Sequence, residues 1–209
     1  MDALDLWLIR HGETHWNRHV YEGTEYQGGR LQPPDSALSD DGFAQAERLA
    51  QRLKGEVFDA VYTSDMLRAT QTAEVVFAGR EVGLEPRIRE ISRGIFEQFT
   101  LAELSDAQRD QRNAWRADKT IRPPGGENLD DLAQRVRTWL GTLPVRGRVA
   151  AVTHSGVILT LLAEALGAGN ARSFFVGNAS LTRLRRYDDR TTILSVGDRA
   201  HLEAWTFRA

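Results

Sequence analysis

Three short, mainly apolar runs, each broken off by polar or cationic residues and followed by a helical pattern, constrain this 209-residue chain to few architectures. Leu6-Trp7-Leu8-Ile9 ends in Arg10-His11-Gly12-Glu13-Thr14, Phe58–Thr63 ends in Ser64-Asp65-Met66-Leu67-Arg68, and Arg148–Thr153 ends in His154-Ser155-Gly156. Runs of this length read as buried strands. Buried strands alternating with helices predict an α/β fold, a three-layer α/β/α sandwich on a mainly parallel central sheet. In such sheets ligands bind outside the carboxyl ends of the strands. All three polar ends therefore converge on one side of the molecule.

The rest of the chain fills in this plan. Asp5–Arg10 is the first strand. A Gly- and Pro-containing loop follows from about Val20 to Ala37. Ser39 is a candidate N-cap for a helix to about Leu53, with Phe43, Ala46, Ala50 and Leu53 on its inward face and Gly55 as the stop. A second helix spans about Met66–Phe77, with Arg68 in its first turn, and Glu85–Ile88 reads as a short strand. Ala102–Ala117 is polar and helical, Pro123-Pro124-Gly125-Gly126 is a turn, and Asn128 caps a helix to about Leu140 with Asp131 in its first turn. Val157–Leu166 is an apolar helix. Ala179–Tyr187 and Thr191–Val196 are two further strands joined at Asp188-Asp189-Arg190. The expected organisation is one domain over residues 1–209, with the segment 89–126 as a cap on one end of the sheet.

Composition narrows the partners. Hydrophobic residues make up 41% and charged residues 27%, ordinary for a globular chain that buries a core without cross-links. A net charge of −2 gives no bulk basic field for nucleic acid, so any anion must be held by a local cluster. Almost all basic residues are Arg, with Lys only at positions 54 and 119. The chain has no cysteine, which excludes disulfides and thiolate chemistry and fits a reducing compartment. Met1-Asp2-Ala3-Leu4-Asp5 lacks the basic stretch of a signal peptide, and the apolar window 149–168 is interrupted by His154 and Glu164. These features point to a soluble, cytoplasmic protein with no membrane or nucleic-acid partner. No heptad or long apolar stripe identifies an oligomer, although a homo-oligomer stays open.

The convergent groups suit a phosphomonoester. Arginine offers planar, bidentate donors to a dianion, and helix N-termini add backbone N–H groups. A neutral histidine nitrogen can attack phosphorus and form a phosphoramidate, dividing one hard displacement into two. A second histidine stabilises the equatorial oxygens. Fixed cations then do what Mg²⁺ does elsewhere, so neither metal nor cofactor is called for. A carboxylic acid is needed to protonate the departing alkoxide.

The ordered set Arg10-His11-Gly12-Glu13-Thr14 with Asn17, the segment around Arg68, Glu90, Pro124-Gly125-Gly126-Glu127 and His154-Ser155-Gly156 resembles the histidine phosphatase superfamily, which includes the cofactor-dependent phosphoglycerate mutases. The resemblance runs from about Asp5 to about Tyr187. It implies that His11 is the phosphorylated nucleophile, that Arg10, Arg68 and His154 complete the phosphate pocket, and that Glu90 is the proton donor. Asn17, Gly12, Gln27, Gly28 and Ser155 are implied substrate contacts, and the partner is a small phosphorylated metabolite. The chain departs from the family pattern where the loop around Gln27-Gly28 and Asp35-Ser36-Ala37-Leu38 is longer, and where Phe96-Glu97-Gln98 replaces aromatic-Glu-Gly. Both departures bear on the part of the substrate beyond the phosphate.

Other readings stand beside these. The segment 89–126 is shorter than the mutases' insertion and carries Arg109, Arg112 and Arg116 at helical spacing, which favours a phosphatase over a phosphoglycerate mutase. A binding module that keeps the pocket without turnover is a third possibility. Glu90 has a structural alternative as ion-pair partner of Arg87 or Arg93. Glu13 is read as a helix-start carboxylate, and Glu127 as equally suited to structure or site. His11, His15 and His19 share a metal-ligand spacing, which no carboxylate completes. Trp7, Trp16, Trp115, Trp139 and Trp205 are assigned to core or rim.

Overall fold

The computed structural model describes residues 3–17, 36–97, 99–100, 102–168, 171 and 173–202. Six strands form one sheet: β1 (Leu4–Arg10), β2 (Ala60–Thr63), β3 (Gly83–Leu84), β4 (Gly147–Thr153), β5 (Leu181–Arg186) and β6 (Thr191–Asp198). Their order is β3-β2-β4-β1-β5-β6. The pairings β3–β2, β2–β4 and β4–β1 are parallel, while β1–β5 and β5–β6 are antiparallel. The five helices described are α1 (Asp40–Arg52), α2 (Leu67–Val76), α3 (Asp106–Ala117), α4 (Leu129–Leu140) and α5 (Ser155–Leu166).

Side-chain alternation along the central strands builds the three layers. In β1, Leu4, Leu6 and Leu8 face one way and Trp7 and Ile9 the other; in β4, Val149 and Ala151 oppose Ala150 and Val152. The first set packs on α4 and α5 through Leu132, Val136, Trp139, Ile158 and Leu162. The second packs on α1 and α2 through Ala46, Leu49, Ala69 and Ala73. A strand buried on both faces must be apolar at consecutive positions, which is why these strands read as unbroken runs. Each fully buried leucine contributes about 1.5–3 kcal/mol by leaving water.

Two local expectations are corrected. Glu85–Ile88 is not a strand. β3 stops at Leu84, and Pro86–Ile88 make a 3₁₀ turn capped by the Glu85 carboxylate, which accepts the Arg87 N–H at 2.9 Å. Pro86 has no N–H for a ladder and fixes φ near the turn value. In α1 the inward face is Gly42, Gln45, Ala46 and Leu49, and Phe43 is exposed. Gln45 is buried because its Oε1 accepts the Glu13 N–H at 2.9 Å. Ser39 caps α1 as expected, accepting from the Gly42 N–H at 3.1 Å.

The register of β1 and β4 sets the geometry that matters. Arg10 lies opposite Thr153, and the His11 N–H donates to the Thr153 carbonyl at 3.0 Å. His11 and His154 therefore leave the sheet side by side. Among the described residues no helix is long and apolar enough to cross a membrane.

Candidate active site

The His11 and His154 rings lie 5.0 Å apart, centroid to centroid, and both are buried. Burial holds each imidazole well below its ordinary protonation range. The charge of Arg68 adds to that for both rings, as does that of Arg10, and each ring is neutral at physiological pH. The His11 Nδ1 lies 2.8 Å from the Gly12 carbonyl oxygen. A carbonyl only accepts, so Nδ1 carries the proton and Nε2 keeps the lone pair. His154 Nε2 lies 2.9 Å from the Ser64 Oγ, while its Nδ1 is buried without a hydrogen-bond partner among the described residues.

A cavity of about 70 Å³ opens beside His11. Arg10, Thr14, Trp16, Asn17 and Ser36 line it from the N-terminal side, and Arg68, Glu90, Arg93 and Ser155 from the other. Arg10 is steadied by its NH1 donating to the Val176 carbonyl at 2.8 Å. Arg68, in the first turn of α2, is buried. Burial pulls its guanidinium down to about 10, with the negative charge of Glu90 acting against that fall, and it stays protonated. Asn17 Oδ1 accepts from the Thr14 N–H at 3.2 Å, the Thr14 hydroxyl at 3.0 Å and Asn178 Nδ2 at 3.1 Å. Two of those donors cannot accept, so the amide orientation is set and Nδ2 remains as the donor group.

Glu90 sits on an irregular stretch between two 3₁₀ turns, Pro86–Ile88 and Gly94–Glu97. Its Oε1 accepts the Ile91 N–H at 2.9 Å, and its Oε2 accepts the Ser155 hydroxyl and the Gly156 N–H, each at 3.3 Å. A Cβ on residue 156 would stand 2.1 Å from Oε1, so this approach of the carboxylate to the start of α5 requires glycine. The ion-pair alternatives for Glu90 fall away in part, because Arg87 is paired to Glu85 at 2.6 Å.

The sequence-named residues divide clearly. Arg10, His11, Asn17, Arg68, Glu90 and Ser155 meet at the cavity, with His154 against His11. Gly12 is not among the residues that line it, and its N–H donates to Thr72 Oγ1 of α2 at 3.0 Å. Gln27 and Gly28 lie outside the described residues, as do His19 and Trp205. Glu13 takes the structural role, accepting the Ser39 hydroxyl at 3.0 Å beneath the cap of α1. Arg109, Arg112 and Arg116 do not line the cavity, and Arg109 turns back onto the Leu104 carbonyl at 3.1 Å. Among the described residues no three His, Asp or Glu side chains are grouped to hold a metal ion.

Sequence reasoning missed three contributors. Arg93 lines the cavity with its guanidinium 5.3 Å from the Trp16 ring and 5.6 Å from that of Trp115; burial draws it down to about 10, with Glu90 and Glu97 acting against that fall. Asn178 donates to the His11 carbonyl at 3.1 Å and the Gly12 carbonyl at 3.2 Å. Ser64 bonds His154. Only Ser64 left a signal, as the first residue after a strand.

Cationic pockets at the carboxyl ends of a parallel sheet are a feature of α/β proteins that handle small anions. The chain belongs to the histidine phosphatase superfamily, branch 1, whose sequence model matches residues 6–199. It is 34% identical to phosphoglycerate mutase-like protein 4 of Arabidopsis thaliana, over 99% of this chain and 90% of that protein. Among solved structures it is similar to the alpha-ribazole phosphatase from Shigella flexneri, with a TM-score of 0.78 and 27% identity over 94% of this chain and 97% of that one. It is similar to the phosphoglycerate mutase from Bacillus anthracis str. Sterne with a TM-score of 0.77 and 25% identity, over 97% and 96% of the two chains. The family contains phosphatases and mutases on one fold, and the two scores are too close for the fold to separate them.

Proposed function

We propose that the protein is a phosphomonoester phosphatase acting on a small phosphorylated metabolite through a phosphohistidine. The observation that carries this reading is the tautomer of His11: Nδ1 donates to the Gly12 carbonyl, so a lone pair on Nε2 belongs to a ring that lines a cavity with Arg10, Arg68 and Arg93. In the first step Nε2 attacks phosphorus, the P–O ester bond breaks, and the Glu90 carboxylic acid gives its proton to the leaving alkoxide. In the second step the Glu90 carboxylate takes a proton from water, the oxygen attacks phosphorus, and the P–N bond breaks to restore Nε2. Arg10, Arg68, Asn17 and the N-terminus of α5 at Ser155 hold the equatorial oxygens throughout. Ser64 Oγ accepts the Met66 N–H at 3.3 Å and shares a hydrogen bond of 2.9 Å with His154 Nε2, which holds the second imidazole ring in place beside His11. The segment 89–126 caps the pocket and contributes Glu90 and Arg93.

A second reading, a phosphoglycerate mutase, is favoured by the Arabidopsis relative. One experiment addresses both. The protein is incubated in EDTA with a panel of phosphomonoesters including 3-phosphoglycerate, alongside His11→Ala. The expected result is phosphate release that falls by at least about 10⁴-fold in the variant. An unchanged rate in His11→Ala refutes the nucleophile. Formation of the 2-isomer faster than phosphate release establishes the mutase. Tight binding without phosphohistidine or release points to a binding module.

A further inference from the structure

Glu90 stands on backbone that no strand or long helix fixes, yet it must hold its carboxyl at one distance from the leaving oxygen. The groups that hold this backbone come from another part of the chain. Arg135, on α4, donates from NH2 to the Glu90 carbonyl at 3.1 Å and from NH1 to the Arg87 carbonyl at 2.8 Å. The same guanidinium grips Glu127, Nε to Oε1 at 2.7 Å and NH2 to Oε2 at 2.9 Å. Glu127 in turn accepts the Ser92 N–H at 2.9 Å, and its own N–H donates to the Ser92 carbonyl at 2.9 Å. Arg87, three residues before the acid, and Ser92, two residues after it, are thereby tied to a single ion pair. The pair is mostly buried, with side chains 18% and 24% exposed, so its fork geometry is held and its charges are little screened. α4 is itself fixed by Leu132, Val136 and Trp139 in the core, and Leu132 packs under Gly156.

We infer that Glu127 and Arg135 are positioning residues for the proton donor: their ion pair clamps the backbone of residues 87–92 and sets where the Glu90 carboxyl meets the leaving group. The inference rests on the reading of Glu90 as that donor. Neither side chain lines the cavity, so they act through Glu90. Burial by itself would raise the Glu127 carboxyl, but hydrogen bonds from Arg135 and the Ser92 N–H outweigh it and keep the group ionised.

The test is a series of aryl phosphates from phenyl to 4-nitrophenyl, which differ in how much the leaving oxygen needs a proton. Wild type, Glu90→Gln, Arg135→Met and Glu127→Gln are compared, each checked for native circular dichroism. Loss of a placed acid lowers kcat/KM, which reports the phosphorylation step and not the later hydrolysis, on the order of 10²-fold for phenyl phosphate and less than about threefold for 4-nitrophenyl phosphate. That steepened dependence is expected in all three variants, with partial return in Arg135→Lys. A uniform loss across the series in both Arg135→Met and Glu127→Gln, with the steepening kept in Glu90→Gln, overturns the clamp and leaves the donor standing. An unaltered dependence in Glu90→Gln overturns both. Should Arg135→Met fail to fold, Glu127→Gln, which keeps the shape and removes the charge, decides the matter.

Discussion

The two halves of the pocket are built in opposite ways. The phosphate half hangs on the sheet: Arg10 and His11 follow β1, His154 follows β4, and Arg68 opens α2, each within two residues of a strand or helix end. Its backbone is held by ladder-like bonds such as His11 to Thr153 and by Asn178 on the His11 carbonyl. The acid half has no ladder, and residues 89–93 lie between two 3₁₀ turns. Its order comes from side chains, above all Arg135 and Glu127. A sheet end can therefore fix side chains through backbone pairing, while the proposed acid depends on side-chain contacts made from elsewhere in the chain.

The comparison can be sharpened from the phosphate side first. Arg68→Gln removes a buried cation that lines the cavity beside His11 and, on the proposed mechanism, is expected to lower kcat/KM by about 10²–10³-fold. The loss should be the same for every aryl phosphate, and steepening along the series would show that Arg68 serves the acid instead. A smaller effect breaks the acid half from the sheet side. In Gly156→Ala the added methyl meets only the end of the Glu90 side chain and a distant Leu132 methyl, so the fold survives while the carboxylate moves. The kcat/KM for phenyl phosphate should fall up to about 10²-fold with that for 4-nitrophenyl phosphate nearly spared; equal losses would place the damage in the phosphate half.

The smallest effect concerns stability. Folded His11 and His154 stay neutral well below the ordinary value of 6.5. The unfolded chain therefore binds protons that the native state does not as pH falls through that value, and stability declines with it. From about pH 7.5 to about 5.5 each histidine removes on the order of 1 kcal/mol. His11→Gln should lose less stability over that interval than wild type by about this amount, measured by urea unfolding at the two pH values. An identical loss in both would mean that His11 titrates in the native state as it does in the unfolded chain.

What the sequence revealed follows the same division. The strands and the residues at their ends were legible because apolar runs and the polar groups that stop them are contiguous. Phe43 was misplaced because α1 must leave room for Gln45 to reach the Glu13 N–H, a requirement imposed from another element. Pro86 turned an apparent strand into a 3₁₀ turn. Arg93 was legible only as a charge near Glu90, since its place over Trp16 and Trp115 depends on how a loop and α3 come together. The clamp of Glu127 and Arg135 joins positions 35 to 48 residues from the backbone it holds, and no local pattern announces such a contact.

β1 lies between β4 and β5, and the His11 carbonyl is held by Asn178 and Ala179, 167 residues later in the chain. On a ribosome adding about 5–20 residues per second, the first strand waits about 10–30 s for the residues that fasten its end. During that interval His11, the proposed nucleophile, has been synthesised, but its carbonyl lacks its amide partners, and both edges of β1 are open until β4 follows and one until β5 does. The proposed phosphate chemistry must therefore wait for the residues that lead into the hairpin of β5 and β6. A nascent chain released before that point carries the family's leading motif without a site to use it.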